Sequence, residues 1–178
     1  YLLIVALSTA LLSMPYRTLL PVQIEEVFNK EVEALGLLLS AIGVGALIGT
    51  LFIAGLGKKD KRGWVLIITS IISGFAIMIS GLNSSYFIAI FLMLLLGLGD
   101  SGRRALNISL ILENTEDEFR GRVMGLYTVN FGLIPLGAIP LGFIANILGI
   151  QQAYFYAGIS LIIFALGYTI LTSRIRKL

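Results

Sequence analysis

A short stretch of one apolar segment carries polar side chains at the spacing of a helix face. Asp100 is followed by Arg103 and Arg104, and Asn107 continues the same stripe. Residues three, four and seven positions apart lie on one side of an α-helix, so an ion pair within the helix is geometrically available. A carboxylate beside guanidinium groups in apolar surroundings can carry a proton or bind a charged group. These residues are therefore candidates for a binding or proton-transfer site.

Further polar candidates lie in two other apolar segments. Tyr16 and Arg17 are adjacent in the first segment, and Tyr127 and Asn130 lie about one helical turn apart in a later one. Arginine presents a planar fork of donors that matches carboxylates and phosphates. Arg17 is therefore a candidate contact for an anionic group of a substrate.

Several kinds of catalytic site do not fit this chain. It contains no cysteine and no histidine, so thiolate chemistry, zinc–thiolate sites and the commonest general base are excluded. The segment 97–102 matches the dinucleotide pattern G-x-G-x-x-G but has no preceding strand. It also matches the GxGD pattern of intramembrane aspartyl proteases, which need a second nearby carboxylate; Asp60 and Asp117 fall in loops. We predict no enzyme activity, no metal and no cofactor.

Six long apolar segments hold these residues and fill almost the whole chain. The composition is 57% hydrophobic and 13% charged, which lies outside the range of soluble domains. A helix that crosses the hydrocarbon core of a bilayer needs about 20 residues. The sequence therefore predicts an all-α membrane protein whose six transmembrane helices cover residues 1–20, 35–56, 64–82, 86–112, 122–147 and 152–172.

Basic residues are concentrated in every second loop. The first loop, 22–34, is acidic, and the third and fifth are uncharged, whereas the second loop and the tail are basic and the fourth loop holds Arg120 and Arg122. Lysine and arginine favour cytoplasmic loops, so we predict that both ends of the chain face the cytoplasm. The net charge of +3 does not indicate nucleic-acid binding, because the basic residues lie at segment ends, where they suit a membrane surface. The basic residues on the predicted cytoplasmic side are Lys58, Lys59, Lys61, Arg62, Arg120, Arg122, Arg174, Arg176 and Lys177.

Two interpretations of the membrane-embedded charges stay open. Ionisable groups inside a bilayer are costly and usually face a cavity or a partner. Arg103 and Arg104 either extend to the cytoplasmic interface and merely satisfy Asp100, or line a cavity with it. Arg17 either extends to the outer interface or faces a transport pathway.

Glycine and proline mark the second and fifth segments. The second contains five glycines, and the fifth contains four with Gly121 directly before it. Glycines let helix backbones approach closely, and the matching positions of these two segments are what two inverted three-helix repeats would produce. Pro135 and Pro140 in the fifth segment free backbone carbonyls, which predicts either a moving hinge or a bend needed for packing. The glycines are Gly36, Gly43, Gly45, Gly49 and Gly55, and Gly121, Gly125, Gly132, Gly137 and Gly142.

The fourth loop combines acidic and basic residues. Thr115 and Glu118 fit a capping box at a helix start. Arg120 and Arg122 follow directly, and this acidic-then-basic order can form ion pairs between helices. Such contacts at the cytoplasmic face can hold a transporter in one conformation.

Three stretches, 14–21, 36–49 and 117–127, together resemble spans seven to twelve of a Major Facilitator Superfamily transporter. The resemblance covers the whole chain and points to the bacterial branch that includes the enterobactin exporter and drug-efflux proteins. The loop 55–63 resembles the family's glycine-aspartate-arginine motif, with the Gly-to-Asp spacing off by one. The chain departs from the family pattern in having Thr115-Glu116 where a proline is usual, and in its Asp100–Arg103–Arg104 cluster.

This resemblance implies one half of a twelve-helix transporter in the bacterial inner membrane. It implies proton-coupled export of small amphipathic molecules, drugs or siderophore-like compounds, by alternating access, with a site between two six-helix halves. The partners would be the bilayer, a missing N-terminal half, the substrate and protons. The implied conformational latch and hinge residues are Gly55, Asp60, Arg62, Gly63, Glu118, Arg120, Gly121, Arg122, Pro135 and Pro140.

Alternatives from other classes stay open. A non-transporting six-span scaffold or assembly protein, or a channel, would show the same segments and the same loop charges. Tyr1 already lies in an apolar run, so we expect the chain to be a fragment. Six further spans encoded upstream would favour the transporter.

Overall fold

The structure, a computed structural model, describes residues 2–13, 15–56 and 62–171. Within these ranges the chain is almost entirely helical, as the apolar segments predict. The elements are α1 (Leu2–Ser13), α2 (Tyr16–Glu26), α3 (Glu33–Ala54), α4 (Arg62–Leu82), α5 (Tyr86–Glu113), a 3₁₀ turn (Asp117–Phe119), α6 (Arg120–Leu148) and α7 (Ile150–Leu171). Five of these helices, α3 to α7, are long and apolar enough to cross a membrane.

The first predicted span is two short helices rather than one. α1 ends at Ser13 and α2 begins at Tyr16, with Pro15 preceding its first turn. Proline has no backbone N–H and so cannot continue the hydrogen-bond ladder of a helix. The carbonyl of Pro15 instead accepts bonds from the backbone N–H (3.1 Å) and hydroxyl (2.7 Å) of Thr18. We call this interruption the α1–α2 break.

The predicted end of the first span at residue 20 is also wrong. α2 continues to Glu26, so the acidic loop begins later than residue 22. Gln23 is fully buried, and its amide donates to both the carbonyl and the hydroxyl of Ser80 on α4, each at 3.1 Å. A polar residue that suggested a loop therefore lies inside the helix, where a partner in another helix accepts both bonds from its amide nitrogen.

Glycines join α3 to α5 at close range. A Cβ atom at Gly45 or Gly49 would collide with backbone carbonyls of α5, and one at Gly97 would collide with the carbonyl of Ile42. The hydroxyl of Ser101 donates across the same contact to the carbonyl of Ala46 at 2.9 Å. Small residues thus fix this helix pair, as the glycine content of the second segment predicted.

The prediction for the fifth segment is mostly wrong. Of its glycines only Gly137 makes a close contact, with the carbonyl of Leu11 and the ring of Pro15, whereas the others face open space. The second glycine-mediated contact joins α4 to α7 instead, through Gly74, Gly81 and Gly158. α6 is the least buried of the five long helices, so most of its small residues lie on an exposed face.

The capping box is also wrong. The hydroxyl of Thr115 donates to the carbonyl of Ile111 at 2.6 Å, which closes the end of α5. The 3₁₀ turn that follows is preceded by Glu116 and has no side-chain cap. α6 remains helical through both Pro135 and Pro140, so whether they act as a hinge stays a prediction.

The outer surface of the described helices is apolar. Leu47 on α3, Phe91 on α5 and Phe143 on α6 are each more than half exposed. Large apolar patches of this kind on a water-soluble monomer would be unusual, whereas a bilayer accommodates them. Polar side chains such as Gln23, Ser73 and Asp100 are buried inside instead.

Candidate functional site

Charged side chains inside the helical layer form one group. We treat α1 and α2 as one segment with an interruption. The described helices then carry four charged residues that lie more than one turn from a helix end. These are Arg17, Asp100, Arg103 and Arg104. All four lie near the α1–α2 break or on the facing part of α5, and Asp100 is at the middle of that helix.

Asp100 and Arg103 form a buried ion pair. Arg103 Nη2 lies 2.7 Å from Asp100 Oδ1, with side chains that are 4% and 1% exposed. The same nitrogen donates to the hydroxyl of Ser13, the last residue of α1, at 2.5 Å. The predicted pairing within the helix is confirmed for Arg103, which points inward rather than toward a membrane surface. Arg104 is half-buried and has no carboxylate partner among the described residues.

Three polar atoms of this group have no hydrogen-bond partner among the described residues: Asp100 Oδ2, Arg103 Nη1 and Asn107 Oδ1. They belong to residues 100, 103 and 107, which share one face of α5 as predicted. Buried polar atoms are almost always hydrogen-bonded to protein or to water. The group can therefore form further hydrogen bonds to water or to a ligand, or bind a proton.

Arg17 lies at the first turn of α2 and is exposed on the surface of the helices. Its Nε donates to the hydroxyl of Tyr16 at 3.1 Å, and its guanidinium lies 5.9 Å from the centre of the same ring. Tyr16 is itself buried, so it holds Arg17 from inside. Because α2 continues to Glu26, Arg17 lies about 14 Å from that end of the helix. The Arg17 side chain is therefore farther from the outer end of the helix than the predicted segment end at residue 20 implied, and it reaches an outer interface less easily.

Two tyrosines connect these charges. Tyr16 interacts electrostatically with Asp100, Arg17 and Arg104. Tyr127 on α6 interacts with Arg103 and Arg104 and packs among apolar residues of α1, α5 and α6. The structure thus brings most of the predicted site residues together.

Asn130 is the exception. It lies on α6, and its side chain is outside the described part of the structure.

Ser13 and Tyr154 are site residues that the sequence reasoning missed. Tyr154 on α7 is fully buried, and its hydroxyl donates to the carbonyl of Tyr16 at 3.0 Å. The sequence offered one signal for Ser13, which is that it stands directly before a Met-Pro dipeptide within an apolar segment. No spacing rule connects Tyr154 to the α1–α2 break, because the two are far apart in sequence.

An apolar cavity of about 240 Å³ lies between α1, α6 and α7, close to the α1–α2 break. Leu11 and Leu12 line it next to Ser13, and Gly137 lines it where α6 touches the α1–α2 break. A polar group next to an apolar cavity suits a ligand with one charged and one apolar part.

A second charged group lies where α4 begins and α5 ends. Arg62 is buried, and its Nη1 lies 2.8 Å from Glu113 Oε1. This pair joins two helices, which is the kind of contact expected of a latch, but its carboxylate comes from Glu113, which was not predicted. Arg120 pairs locally instead, with Asp117 at 2.6 Å, and its Nε lies 3.3 Å from the carbonyl of Leu112.

The other latch candidates make few contacts. Glu118 and Gly121 are exposed, and the Arg122 guanidinium lies 6.0 Å from the ring centre of Phe119. Gly55 follows the last turn of α3, and Gly63 is buried at the start of α4. Asp60 lies outside the described residues.

Comparison with known proteins identifies relatives that are transporters. The chain is 26% identical to the staphyloferrin A transporter of Staphylococcus aureus over 90% of its own length and 40% of the relative's. It is 28% identical to macrolide efflux protein A of Streptococcus pyogenes, over 93% of the chain and 41% of that protein. The chain therefore spans about two fifths of the length of these relatives. No solved structure matches it significantly.

The family assignment rests on a match that covers nearly the whole chain. Residues 2–177 match the family described as the Major Facilitator Superfamily. The match agrees with the apolar helices, the buried charges and the transporter relatives described above. The chain is thus a segment of a multi-pass membrane protein, and it belongs to the Major Facilitator Superfamily of transporters.

Proposed function

We propose that the whole protein exports small amphipathic molecules, drugs or siderophore-like compounds, across the bacterial inner membrane in exchange for protons. In this proposal the present chain forms one wall of a central site, and an N-terminal six-helix half forms the other. The two halves alternate access by moving against each other. The names of the relatives, one a staphyloferrin A transporter and one a macrolide efflux protein, support a substrate of this size and character.

The observation that carries the proposal is the charged group at the α1–α2 break. Buried charges are costly in a bilayer and mark substrate or proton pathways. Asp100 has one carboxylate oxygen paired with Arg103, while the other, Oδ2, has no partner among the described residues. That oxygen can take a proton, and protonation would neutralise the carboxylate that holds Arg103. In this proposal the pair opens and closes as protons are exchanged.

We also propose that the six crossing segments form two inverted repeats. α3 packs on α5, and α6 packs on α1. Inverted repeats would relate the first three segments to the last three in order. A two-fold axis in the membrane plane would then carry the α3–α5 pair, segments two and four, onto the α6–α1 pair, segments five and one. The contact between α4 and α7 would lie on the axis itself.

The cytoplasmic latch is part of the same proposal. The Arg62–Glu113 pair, together with Arg120 and Arg122, would lie at the cytoplasmic face and help to hold one conformation. Pro135 and Pro140 would let α6 bend as the conformation changes.

Substitution of Asp100 tests the proton-coupled role. In the full-length protein, Asp100→Asn should abolish efflux driven by a pH gradient, measured with a panel that includes a macrolide and a siderophore. Because Asp100→Asn leaves the charge of Arg103 buried and unpaired, it can destabilise the fold by several kcal/mol. The double variant with Arg103→Gln removes both charges and should fold without pH-driven efflux. Wild-type efflux by the folded double variant at every pH would refute the proposal.

A further inference from the structure

The group at the α1–α2 break has an excess of positive charge. It contains three guanidinium groups, those of Arg17, Arg103 and Arg104, and one carboxylate, Asp100. Every other acidic residue of the described helices lies within one turn of a helix end, far from this group. Asp100 pairs directly with Arg103 and attracts Arg17 only from a longer distance, so neither Arg17 nor Arg104 forms a salt bridge among the described residues.

Both arginines lie near the α1–α2 break. Arg17 donates to the Tyr16 hydroxyl, and Arg104 is the neighbour of Arg103, which donates to Ser13 at the end of α1. Arg17 is exposed and Arg104 half-buried, so both can contact a ligand that lies against this face. Two unpaired cations inside a bilayer are unfavourable unless something anionic neutralises them.

The backbone favours an anion at the same place. α2 is an 11-residue helix whose N-terminus lies at the α1–α2 break, beside Arg17. The first turn of a helix leaves N–H groups without helical acceptors and carries a partial positive charge. Broken helices in transporters direct such N-termini at anionic substrate groups. Arg103 Nη1, buried and without a partner among the described residues, adds a further donor.

We propose that the substrate of this site carries a carboxylate or another anionic group, which Arg17 and Arg104 bind, with its apolar part toward the cavity beside Leu11. This inference rests on the proposed transport function and specifies its substrate class. In this inference the site prefers anionic amphiphiles to cationic amphiphiles, the class to which many drugs belong. Tyr16 acts as a positioning residue, because it fixes Arg17 without needing to contact the substrate.

Two dyes of similar size and opposite charge test this inference. The full-length protein in detergent is titrated with carboxyfluorescein, an anion, and with tetramethylrhodamine methyl ester, a cation, and binding is followed by fluorescence anisotropy. We expect the anion to bind more tightly. Arg17→Gln should weaken anion binding about tenfold, the loss expected for one charge-assisted hydrogen bond. Arg17→Lys, which keeps the charge, should weaken it less.

Lys30→Gln is the matched control, since it removes one positive charge from an exposed position beyond the end of α2 and should leave anion binding unchanged. If Arg17→Gln does not fold, Arg104→Gln takes its place with the same expected loss. Tighter binding of the cation, or equal losses in Arg17→Gln and Lys30→Gln, would overturn the inference. Because binding is measured without a gradient, this outcome is separate from a failure of pH-driven efflux, which would overturn the proposed transport.

Discussion

Asp100 and Arg103 illustrate how a buried ion pair differs from a stabilising contact. Removing two charges from water offsets much of their attraction, so apolar residues of similar volume often stabilise a protein as well or better. The pair also leaves Asp100 Oδ2 and Arg103 Nη1 without partners among the described residues. Packing alone gives no reason for such an arrangement. The proposed role in binding or proton transfer would give one, because both need a polar group that can change partners.

Tyr16→Phe tests how Arg17 is held. The substitution removes the hydroxyl that accepts the bond from Arg17 Nε and keeps the aromatic ring beneath the guanidinium. A net hydrogen bond contributes roughly 1 kcal/mol, so we expect the KM for an anionic substrate to rise about fivefold. The maximal rate and the expression level should stay near wild type, which separates positioning from a structural role.

Tyr86→Phe is the control for this substitution. Tyr86 also uses its hydroxyl, in a bond to the carbonyl of Ala34 at 2.7 Å, but it lies at the end of α5 away from the charged group. A KM that rises equally in both variants would show that loss of any tyrosine hydroxyl has this effect, and Tyr16 would have no special role.

At the residue scale, the sequence predicted what depends on local spacing. The pairing of Asp100 with Arg103 and the shared face of Asn107 follow from helical periodicity. The bond from Arg103 to Ser13 joins residues 90 positions apart, and no periodicity specifies it. The end of the first segment was also misjudged, because Gln23 lies inside α2 and bonds to Ser80 of another helix.

At the element scale, Gly49→Ala should disrupt the contact between α3 and α5. A single added Cβ would collide with the carbonyl of Leu98, so the helices must move apart. Overpacking of this kind destabilises proteins by roughly 1–3 kcal/mol. We expect a lower midpoint of thermal unfolding for the full-length protein in detergent, measured by fluorescence.

Gly43→Ala is the matched substitution on the same helix. A Cβ at Gly43 meets nothing within 4 Å, and alanine has the higher helix propensity. Its unfolding midpoint should equal or exceed that of the wild type. A similar loss at both positions would mean that glycine content, and not the close contact, matters for α3.

Five of the six predicted segments, those that correspond to α3 to α7, were predictable because each needs only length and apolar composition. Their predicted first and last residues agree with the bounds of α3 to α7 within about two residues. Contacts between helices were less predictable. Glycine count pointed to α3 and α6, but a glycine packs only where a neighbour faces it, and most of α6 has no neighbour there. Gly74, Gly81 and Gly158 join α4 to α7 although neither helix is glycine-rich in sequence.

At the scale of the whole molecule, the loop charges predict an orientation that chemical labelling can test. This chain has no cysteine, so single cysteines can be introduced into a full-length protein from which any others have been removed. Lys30→Cys, before α3, should react with a membrane-impermeant maleimide in intact cells. Glu116→Cys, between α5 and α6, should react only after the cells are permeabilised. The reverse pattern would overturn the predicted orientation.

The bond between Ser13 and Arg103 also bears on how the protein is made. Ribosomes add about 5–20 residues per second, so the 90 positions between these residues correspond to about 5 to 20 s of synthesis. If the first segment crosses the bilayer as predicted, it enters the membrane during that interval, with its helix break and Arg17, before α5 exists. An arginine at mid-membrane would oppose insertion by about 3 kcal/mol. We therefore expect the first segment to reach its final position late, and insertase or chaperone assistance to matter more for it than for α3.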